Sequence, residues 1–466
     1  MRLYNTLTKH VEPIKKTRFK KIGLFTCGPT VYDHVHVGNY RTYTALDMLV
    51  RYMRAKGYKI RYVQNITDVD DKIIAKAKKE GVSFRAVAHH FEDLFYKTQH
   101  ELNIESVDTY ARATDYVKEI VDQIRRLIRK GYVYEIQSSN AEEGGWYFDI
   151  GKFEGYGKLA NRTVEQAEDG VSRIDENSKK RNRGDFAVWK FASKKKDKSE
   201  PAWDCELGVG RPGWHIEDTA ISEKFFGPQY YLHGGGTDLI FPHHEAEIAL
   251  QEAGSGKAPF VKHWVHAGML LSGGEKMSKS KGNFIRMDEF LKHHTANAFR
   301  FLVLSSHYRA TLEFTPSTIS QAEKNLQSIA LTLEKLKLVK NGKGKELDVH
   351  QAAKECMSAL EDDFNSPKAL AVVFGLINEA NKHLTDLSKK SASEVIAFIV
   401  EFFDVLGFRH LIGQPTKEAQ DLLSQRKLSR DSKQFDKSDA LREKIESLGY
   451  IVEDSALGQV AIRKQI

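Results

Sequence analysis

Lys21-Ile22-Gly23-Leu24-Phe25-Thr26-Cys27-Gly28-Pro29 is the stretch that decides the fold, because an apolar run ends there at residues that favour a turn. Beyond it, apolar residues recur at helical spacing from Leu46 to Met53, and Gly57 supplies a stop. A further apolar run at 59–67 predicts a second strand. Strand, helix and strand in this order form a βαβ unit with a right-handed crossover. The sequence therefore predicts an α/β fold with a Rossmann-like, doubly wound parallel sheet.

The rest of the chain divides by its patterns into predicted segments. Strand signals at 230–233 and 263–266 bracket a helical pattern, and helical periodicity dominates from residue 317 on. In the last of these helices, Ser391 and Glu394 have the spacing of a capping box. The predicted segments are a first half of the sheet domain at 1–115, an insertion at 116–225, a second half at 226–315, a helical bundle at 316–410 and a small C-terminal domain at 411–466.

Composition narrows the class of protein. With 466 residues, 41% hydrophobic and 29% charged, the chain has the composition of an ordinary soluble globular protein of several domains. Its longest apolar stretches fall far short of the roughly 20 residues that cross a bilayer, and its first residues lack the pattern of a secretory signal. We therefore expect a cytoplasmic protein without a membrane span. The net charge of +8 permits a polyanionic partner but is weak evidence for one.

Two polar segments are candidates for binding a nucleotide. His36-Val37-Gly38-Asn39 lies between the first strand and its crossover helix, where a helix N-terminus favours phosphate, and Gly38 lets a flat base approach the backbone. Much later, Lys276-Met277-Ser278-Lys279-Ser280-Lys281-Gly282-Asn283 follows two glycines and could close over a polyphosphate. Standing alone, this second segment would be a solvated basic turn with equal odds.

Together these segments resemble the two signatures of class I aminoacyl-tRNA synthetases, His-Ile-Gly-His and Lys-Met-Ser-Lys-Ser. The second match, 276–280, is complete, whereas Asn39 replaces a histidine in the first. An asparagine amide still donates a hydrogen bond but carries no charge.

Further segments look like cysteinyl-tRNA synthetases in particular: 25–33, 65–73, 210–217, 233–245 and 362–370. That resemblance implies activation of L-cysteine by ATP with Mg²⁺, followed by transfer of cysteine to tRNA-Cys, in a monomeric enzyme. It implies catalytic roles for His36, Asn39, Lys276 and Lys279, ATP binding by Gly38, Gly234, Gly235, Asp238 and Lys279, and cysteine binding by Cys27, Thr67 and Trp214. Without it, Trp214 would be taken for a core residue.

A zinc ion is the implied sensor for sulfur. A thiol differs from a hydroxyl by one atom, so shape alone discriminates by about 1–3 kcal/mol, whereas zinc binds thiolates well. The resemblance places the four ligands of one Zn²⁺ on Cys27, Asp218, His243 and Glu247, and the second of them is normally a cysteine. Cys205, on a glycine-containing segment 13 residues upstream, is the competing candidate for that second position.

The C-terminal segment carries candidate anticodon contacts. By resemblance these are Arg430, Phe435, Asp439 and Asp454, and Phe435 stands where a tryptophan is often found. Cations, an aromatic ring and carboxylates suit stacking and base-edge hydrogen bonds. A solvated amphipathic helix is the alternative interpretation of the stretch around Phe435.

Two other functions stay open at this point. One is a ligase that joins cysteine to an amino-sugar; such ligases look shorter and lack an anticodon module. The other is a tRNA-binding paralogue that has lost catalysis, for which Asn39 and Asp218 are the supporting features. Cysteine-dependent ATP–pyrophosphate exchange followed by acylation of tRNA-Cys separates all three.

Overall fold

The computed structural model describes residues 1–16, 21–137, 144–162, 178–192, 197–277, 284–340, 344–411 and 415–464, without the side chain of Lys276. Its strands are β1 Arg2–Asn5, β2 His10–Pro13, β3 Ile22–Thr26, β4 Ile60–Ile66, β5 Thr109–Arg112, β6 Val133–Ile136, β7 Gly145–Phe148, β8 Phe186–Phe191, β9 Gly210–Pro212, β10 Tyr230–Gly236, β11 Val261–Ala267, β12 Leu270–Ser272, β13 Glu275–Lys276, β14 Leu312–Glu313, β15 Tyr450–Ser455 and β16 Gly458–Arg463. Its α-helices are α1 Val37–Ala55, α2 Asp71–Glu80, α3 Phe84–Glu101, α4 Val117–Arg129, α5 Trp214–Phe226, α6 Glu245–Ser255, α7 Met287–His293, α8 Ala296–Leu304, α9 Pro316–Lys337, α10 Val349–Glu361, α11 Ser366–Lys382, α12 Lys389–Val405, α13 Lys417–Asp431 and α14 Phe435–Ser447.

A five-stranded parallel sheet forms the centre of the molecule. Its order is β11-β10-β3-β4-β5, so the chain runs outward from β3 to β5 and later returns to the other side of β3. The predicted Rossmann-like parallel sheet is thereby confirmed. In such sheets ligands bind outside the carboxyl ends of the strands, where the order reverses, and here that point lies between β3 and β10.

The insertion between β5 and β10 folds as a separate antiparallel sheet. Strands β6 to β9 pair in sequence order, and the side chains of Phe148, Val188 and Trp189 are buried beside it. A polar network of Gln123, Gln251 and Thr219 joins helices α4, α6 and α5. The insertion is therefore held against the helices that carry two of the candidate zinc ligands.

Helices α9 to α12 form the predicted bundle, but one cap was assigned wrongly. Helix α12 begins at Lys389, and the Ser388 hydroxyl accepts a hydrogen bond from the Ser391 backbone N–H at 3.0 Å. Ser391 lies in the first turn, fully buried, and its hydroxyl accepts from the Leu347 N–H. Ser388 and Ser391 each have a polar residue three positions later, so both could cap the helix. Ser388, which has the extended backbone of an N-cap residue, takes this role.

The C-terminal segment consists of two helices and an antiparallel hairpin, β15–β16. It packs against α9 of the bundle, where the Gln327 amide donates to the Lys464 carbonyl at 2.8 Å. Within the described residues, no helix combines the length and the apolar character needed to cross a membrane. The exact ends of the five predicted segments stay predictions.

A fully buried ion pair joins the sheet domain to the bundle. Arg300 of α8 donates to the Asp47 carboxylate of α1 at 2.7 Å and to the Leu406 carbonyl, at the end of α12, at 2.6 Å. The other Asp47 oxygen accepts from the backbone N–H groups of Glu105 and Ser106. Both oxygens of the Asp47 carboxylate thus accept hydrogen bonds. Helix α1, helix α8 and the end of α12 meet at this ion pair.

We expect Arg300→Met to destabilise the protein by about 3 kcal/mol, because it removes the buried partner of Asp47 and leaves the carboxylate with Arg51 alone, 2.9 Å away and partly exposed. Arg2 forms a pair of the same length, 2.7 Å, with Asp362, but both side chains are more than half exposed. The matched control Arg2→Met should therefore leave stability nearly unchanged. Urea unfolding followed by circular dichroism measures both variants, and equal midpoints for the two would contradict the prediction.

Candidate active site

A cavity of about 180 Å³ lies at the carboxyl ends of β3, β4 and β10. Its walls include the predicted residues Cys27, His36, Gly38, Asn39, Thr67, Trp214, Asp218 and Asp238, together with Thr42, Asn65, Gly236, Met269 and Met277, which had no predicted role. Candidates for the phosphate, ribose and cysteine sites therefore share one space, although they come from distant parts of the chain.

His36 caps the helix that points at this cavity. Its backbone is extended, and its Nδ1 accepts a hydrogen bond from the Gly38 N–H at 3.0 Å. Because Nδ1 is the acceptor, Nε2 carries the proton of the neutral ring. A Cβ on Gly38 would lie 2.8 Å from the His36 ring, so a side chain at this position would disturb the cap.

The lysine-rich segment begins beside the cavity. Lys276 lies in β13, paired with Leu271, and the Met277 side chain is buried in the cavity wall. Lys279 lies outside the described residues. After the gap, the Ile285 carbonyl accepts from the Val37 N–H at 3.0 Å, and the Phe284 ring packs edge-on against the His36 ring at 5.1 Å. The first signature segment thus contacts residues 284 and 285, which follow the lysine-rich segment.

Two of the predicted ATP-binding glycines do not line the cavity. A Cβ on Gly234 would approach Leu46 and Thr26 at 3.0–3.1 Å, and a Cβ on Gly235 would meet the His244 ring at 2.7 Å. These glycines allow close packing beneath the cavity, whereas Gly236 and Asp238 face it. The glycine motif predicted the correct strand, β10, but it did not show which of its glycines faces the cavity.

The four predicted zinc ligands come together in one buried cluster. Donor atoms of Cys27, Asp218, His243 and Glu247 all lie within 4.8 Å of one another. His243 Nε2 is 3.0 Å from Asp218 Oδ2 and 2.9 Å from Glu247 Oε1, and Cys27 Sγ is 3.5 Å from Glu247 Oε1. Ligands about 2.0–2.3 Å from a tetrahedral zinc ion lie about 3.3–3.8 Å apart. The three distances of 2.9–3.5 Å lie close to that spacing, so the cluster is compact enough to hold a zinc ion.

The electrostatics of the cluster favour a bound cation. Burial, with Glu247 and Asp218 nearby, raises the pKa of the Cys27 thiol well above its usual range. Burial also raises the pKa of Glu247 to about 7, and although burial lowers that of His243, the two carboxylates raise it to about 9. Without a metal ion, protons bound to Cys27, His243 and Glu247 neutralise the negative charge of the cluster. A divalent cation would displace them, since buried anions need a partner.

One carboxylate oxygen in the cluster supports the same conclusion. Glu247 is fully buried, and its Oε2 makes no hydrogen bond. Leaving such an oxygen unsatisfied is costly, and an ion is one of the few groups that explain it. The residues present therefore fit a metal ion on chemistry and geometry alike.

Asn65 and Trp214 complete the wall around the cluster. The Asn65 amide donates to Asp218 Oδ1, and its oxygen accepts from the Gly28 N–H at 2.5 Å. Trp214 is 41% exposed and stacks on the His243 ring with centroids 4.3 Å apart, so it is a cavity wall and not a core residue. Cys205 belongs to neither of the groups of metal-type donors found among the described residues.

The anticodon candidates lie on the C-terminal helices and hairpin. Arg430 is 3.2 Å from Asp454, which also forms a two-pronged pair with the buried Arg426. Phe435 is 58% exposed at the start of α14, and Asp439 is exposed one turn later. Arg426 had no predicted role; its two hydrogen bonds to the Asp454 carboxylate hold that side chain in place.

Comparisons with known proteins identify the family of this chain. Residues 13–324 match the family model of the tRNA synthetases class I (C) catalytic domain, and residues 355–410 match that of the DALR domain. A cysteine–tRNA ligase of Thermoplasma volcanium is 39% identical over 458 residues, which cover 97% of this chain and 98% of the relative. This chain belongs to the cysteine–tRNA ligase family. The resemblance drawn from the sequence is confirmed.

Other members and solved structures extend the comparison. The cysteine–tRNA ligase of Thermodesulfovibrio yellowstonii is 39% identical over 485 residues, with 97% of this chain and 98% of the relative covered. Among solved structures, a methionyl-tRNA synthetase of Mycobacterium tuberculosis has a TM-score of 0.59 at 17% identity, covering 83% of this chain and 90% of that one. The likeness to the methionyl-tRNA synthetase concerns the fold alone, which this member of the cysteine–tRNA ligase family shares with other class I synthetases.

Proposed function

We propose that this chain is a cysteine–tRNA ligase that forms cysteinyl-adenylate and pyrophosphate from L-cysteine and ATP, then esterifies the terminal adenosine of tRNA-Cys. The observation that carries the proposal is the shared cavity. In it, a buried cluster of metal-type donors stands beside a helix N-terminus capped by His36. A site for a thiol and a site for a phosphate within one cavity are what this reaction requires.

In the proposed adenylation, the phosphates lie at the N-terminus of α1. The partial positive charge of the helix and the Nε2–H of His36 face charge that develops on the α-phosphate. Asn39 adds an amide donor in place of the usual histidine, while Lys276 and Lys279 neutralise the leaving pyrophosphate. Mg²⁺ bound with ATP would supply further positive charge to the phosphates. Asp238 accepts from the ribose hydroxyls at the other side of the cavity.

In the proposed cysteine site, Cys27, Asp218, His243 and Glu247 would hold zinc, which would supply Lewis acidity that keeps the substrate thiol as a thiolate. Trp214 covers the His243 ring, and Thr67 borders the same end of the cavity. A substrate hydroxyl binds a soft metal site less well, so serine is rejected by chemistry more than by shape.

In the proposed transfer step, the C-terminal helices bind the anticodon while the cavity holds the acceptor end of tRNA. Arg430, Phe435, Asp439 and Asp454 supply cations, a stacking ring and base-edge acceptors. The protein is proposed to act as a monomer in the cytoplasm, with ATP, L-cysteine and tRNA-Cys as its partners.

We expect Phe435→Ala to lower kcat/KM for tRNA-Cys about ten-fold while leaving pyrophosphate exchange unchanged, because a base stacked on an aromatic ring gains about 1–3 kcal/mol. Phe435 is 58% exposed, so its loss costs little stability. The matched control is Leu428→Ala, at a residue of α13 that is 67% exposed, and it should charge tRNA normally. Equal charging by both variants would remove Phe435 from the anticodon site.

The whole proposal is tested in two assays on the purified protein. Cysteine-dependent ATP–pyrophosphate exchange reports the first step, and acylation of tRNA-Cys reports the second. Exchange without acylation, together with transfer of cysteine to an amino-sugar, would identify the other ligase activity. Absence of exchange in protein with its full metal content would leave tRNA binding as the function.

A further inference from the structure

A second group of metal-type donors lies behind the first. Cys27, His233, His244 and Glu247 are all buried, and their donor atoms also lie within 4.8 Å of one another. This inner set shares Cys27 and Glu247 with the outer set, which adds Asp218 and His243. His233 lies in β10 and His244 directly precedes α6; neither had a predicted role.

We propose that the zinc ion of the metal-loaded, substrate-free protein rests on the inner set, and that cysteine draws it to the outer set. The inference rests on the proposed function, since it concerns the same ion and the same substrate. Cys27 lines the cavity and belongs to both sets, but of the residues that distinguish the sets only Asp218 lines the cavity that cysteine would enter, whereas His233 and His244 do not.

The geometry of the two histidines supports the inner position. His244 Nε2 is 3.2 Å and His233 Nε2 is 3.6 Å from Cys27 Sγ, close to the spacing of neighbouring ligands on zinc. Glu247 Oε2, which makes no hydrogen bond, lies on the His233 side, 3.5 Å from its Nδ1. The other oxygen of this carboxylate, Oε1, is already 3.5 Å from Cys27 Sγ and can serve as the ligand.

The other ring nitrogens of these histidines are held in place. His233 Nδ1 bonds the Tyr230 hydroxyl at 2.6 Å, and His244 Nδ1 bonds His266 Nε2 at 2.8 Å. His266 in turn bonds the Thr6 hydroxyl at 2.7 Å. Histidines that bind metals are usually oriented in this way, by a partner on the nitrogen that does not face the ion.

The donor chemistry of this chain favours the inner set when no substrate is present. The inner donors are one sulfur, two imidazole nitrogens and one carboxylate, whereas Asp218 makes the outer donors one sulfur, one nitrogen and two carboxylates. Zinc prefers the softer set. The inner set also brings two anions, which balance a divalent ion, whereas the outer set brings three and leaves a net negative charge in a buried site.

The outer set has its own partners when the ion is inside. The Asn65 amide donates to Asp218 Oδ1, and Asp218 Oδ2 is 3.0 Å from His243 Nε2. An arriving substrate thiolate adds a second sulfur from the cavity side. The ammonium group of the same cysteine balances the added charge, so the gain of a soft donor outweighs the histidine nitrogen given up, and the outer position is favoured once cysteine is bound.

The test uses two neighbouring residues that belong to different sets. In substrate-free protein, His244→Gln should weaken zinc binding at least about ten-fold against a competing chelator, whereas His243→Gln should retain zinc with nearly unchanged affinity. His243→Gln is still expected to lose cysteine activation. Both side chains are buried, so circular dichroism and thermal unfolding are recorded to show that each variant is folded.

X-ray absorption at the zinc edge of the unmutated holoprotein gives an answer independent of folding. The expected spectrum shows two imidazoles and one sulfur without substrate, and a second sulfur and one imidazole after L-cysteine is added. One imidazole in both states, or zinc lost from His243→Gln but kept by His244→Gln, overturns the inner position while leaving the proposed function intact. Full cysteine-dependent pyrophosphate exchange by metal-free protein overturns the role of zinc and with it the inner position, whereas absence of exchange in the metal-loaded protein overturns the proposed function.

Discussion

Replacing Cys27 with serine is expected to remove the metal from the protein and to lower kcat/KM for cysteine in pyrophosphate exchange by about 10³-fold. Cys27 is the one residue of the predicted ligand set that supplies sulfur, and both donor sets contain it. Serine is nearly isosteric, so the packing around β3 should survive, but a hydroxyl at this position is a poor ligand for zinc. The measurements are metal content after dialysis and cysteine-dependent exchange.

Cys356 provides the matched control for this change. It is also a buried cysteine, 2% exposed against 7% for Cys27, and burial raises the pKa of its thiol to about 12. It lies in α10 of the bundle, where its thiol donates to the Ala369 carbonyl at 3.4 Å. Cys356→Ser should keep both zinc and activity. Stoichiometric zinc in folded Cys27→Ser protein would rule out the sulfur ligand and with it both donor sets.

Replacing His36 with alanine is expected to lower the rate of adenylation by about 10²–10³-fold, the usual loss when one donor to a developing oxyanion is removed. The side chain also caps α1, so the variant loses about 1 kcal/mol of stability as well. Pre-steady-state measurement of adenylate formation separates the rate from any change in the binding of ATP.

A second substitution at this position separates catalysis from capping. His36→Asn keeps a side-chain oxygen that can accept from the Gly38 N–H, so helix stability should be restored. Its amide does not extend as far as imidazole Nε2, so the rate of adenylation should stay low. A rate restored together with stability would show that His36 acts through the helix and does not contact the phosphate.

The zinc cluster shows how far spacing along the chain reaches. His243 and Glu247 were named as ligands by the resemblance, and their spacing of four residues, which brings side chains to one face of a helix, is as typical of a surface pair as of a metal site. The distances within the cluster depend on β10 lying beside β3, which no local pattern encodes. The resemblance named the ligands, but it gave no sign that His233 and His244 form a second set around Cys27.

Burial and capping were the weaker parts of the sequence-based prediction. Tryptophan is a residue type usually found in the core, yet Trp214 is 41% exposed because it begins α5 at the rim of the cavity. Ser391 has the spacing of a cap, yet Ser388 takes that role. In both cases the residue type allowed the predicted role, but the position relative to neighbouring helices and strands decided the burial of Trp214 and the capping role of Ser388.

The sequence by itself determined the βαβ unit, the helical bundle and the family, since each depends on periodicity or on short motifs whose residues are adjacent in the chain. The tertiary structure alone decided which residues share the cavity. Cys27 and Asp218 are 191 positions apart, and they meet because the chain returns to the free edge of β3 after forming the insertion. Long-range strand order is set by packing of the whole core, and a local pattern does not contain that information.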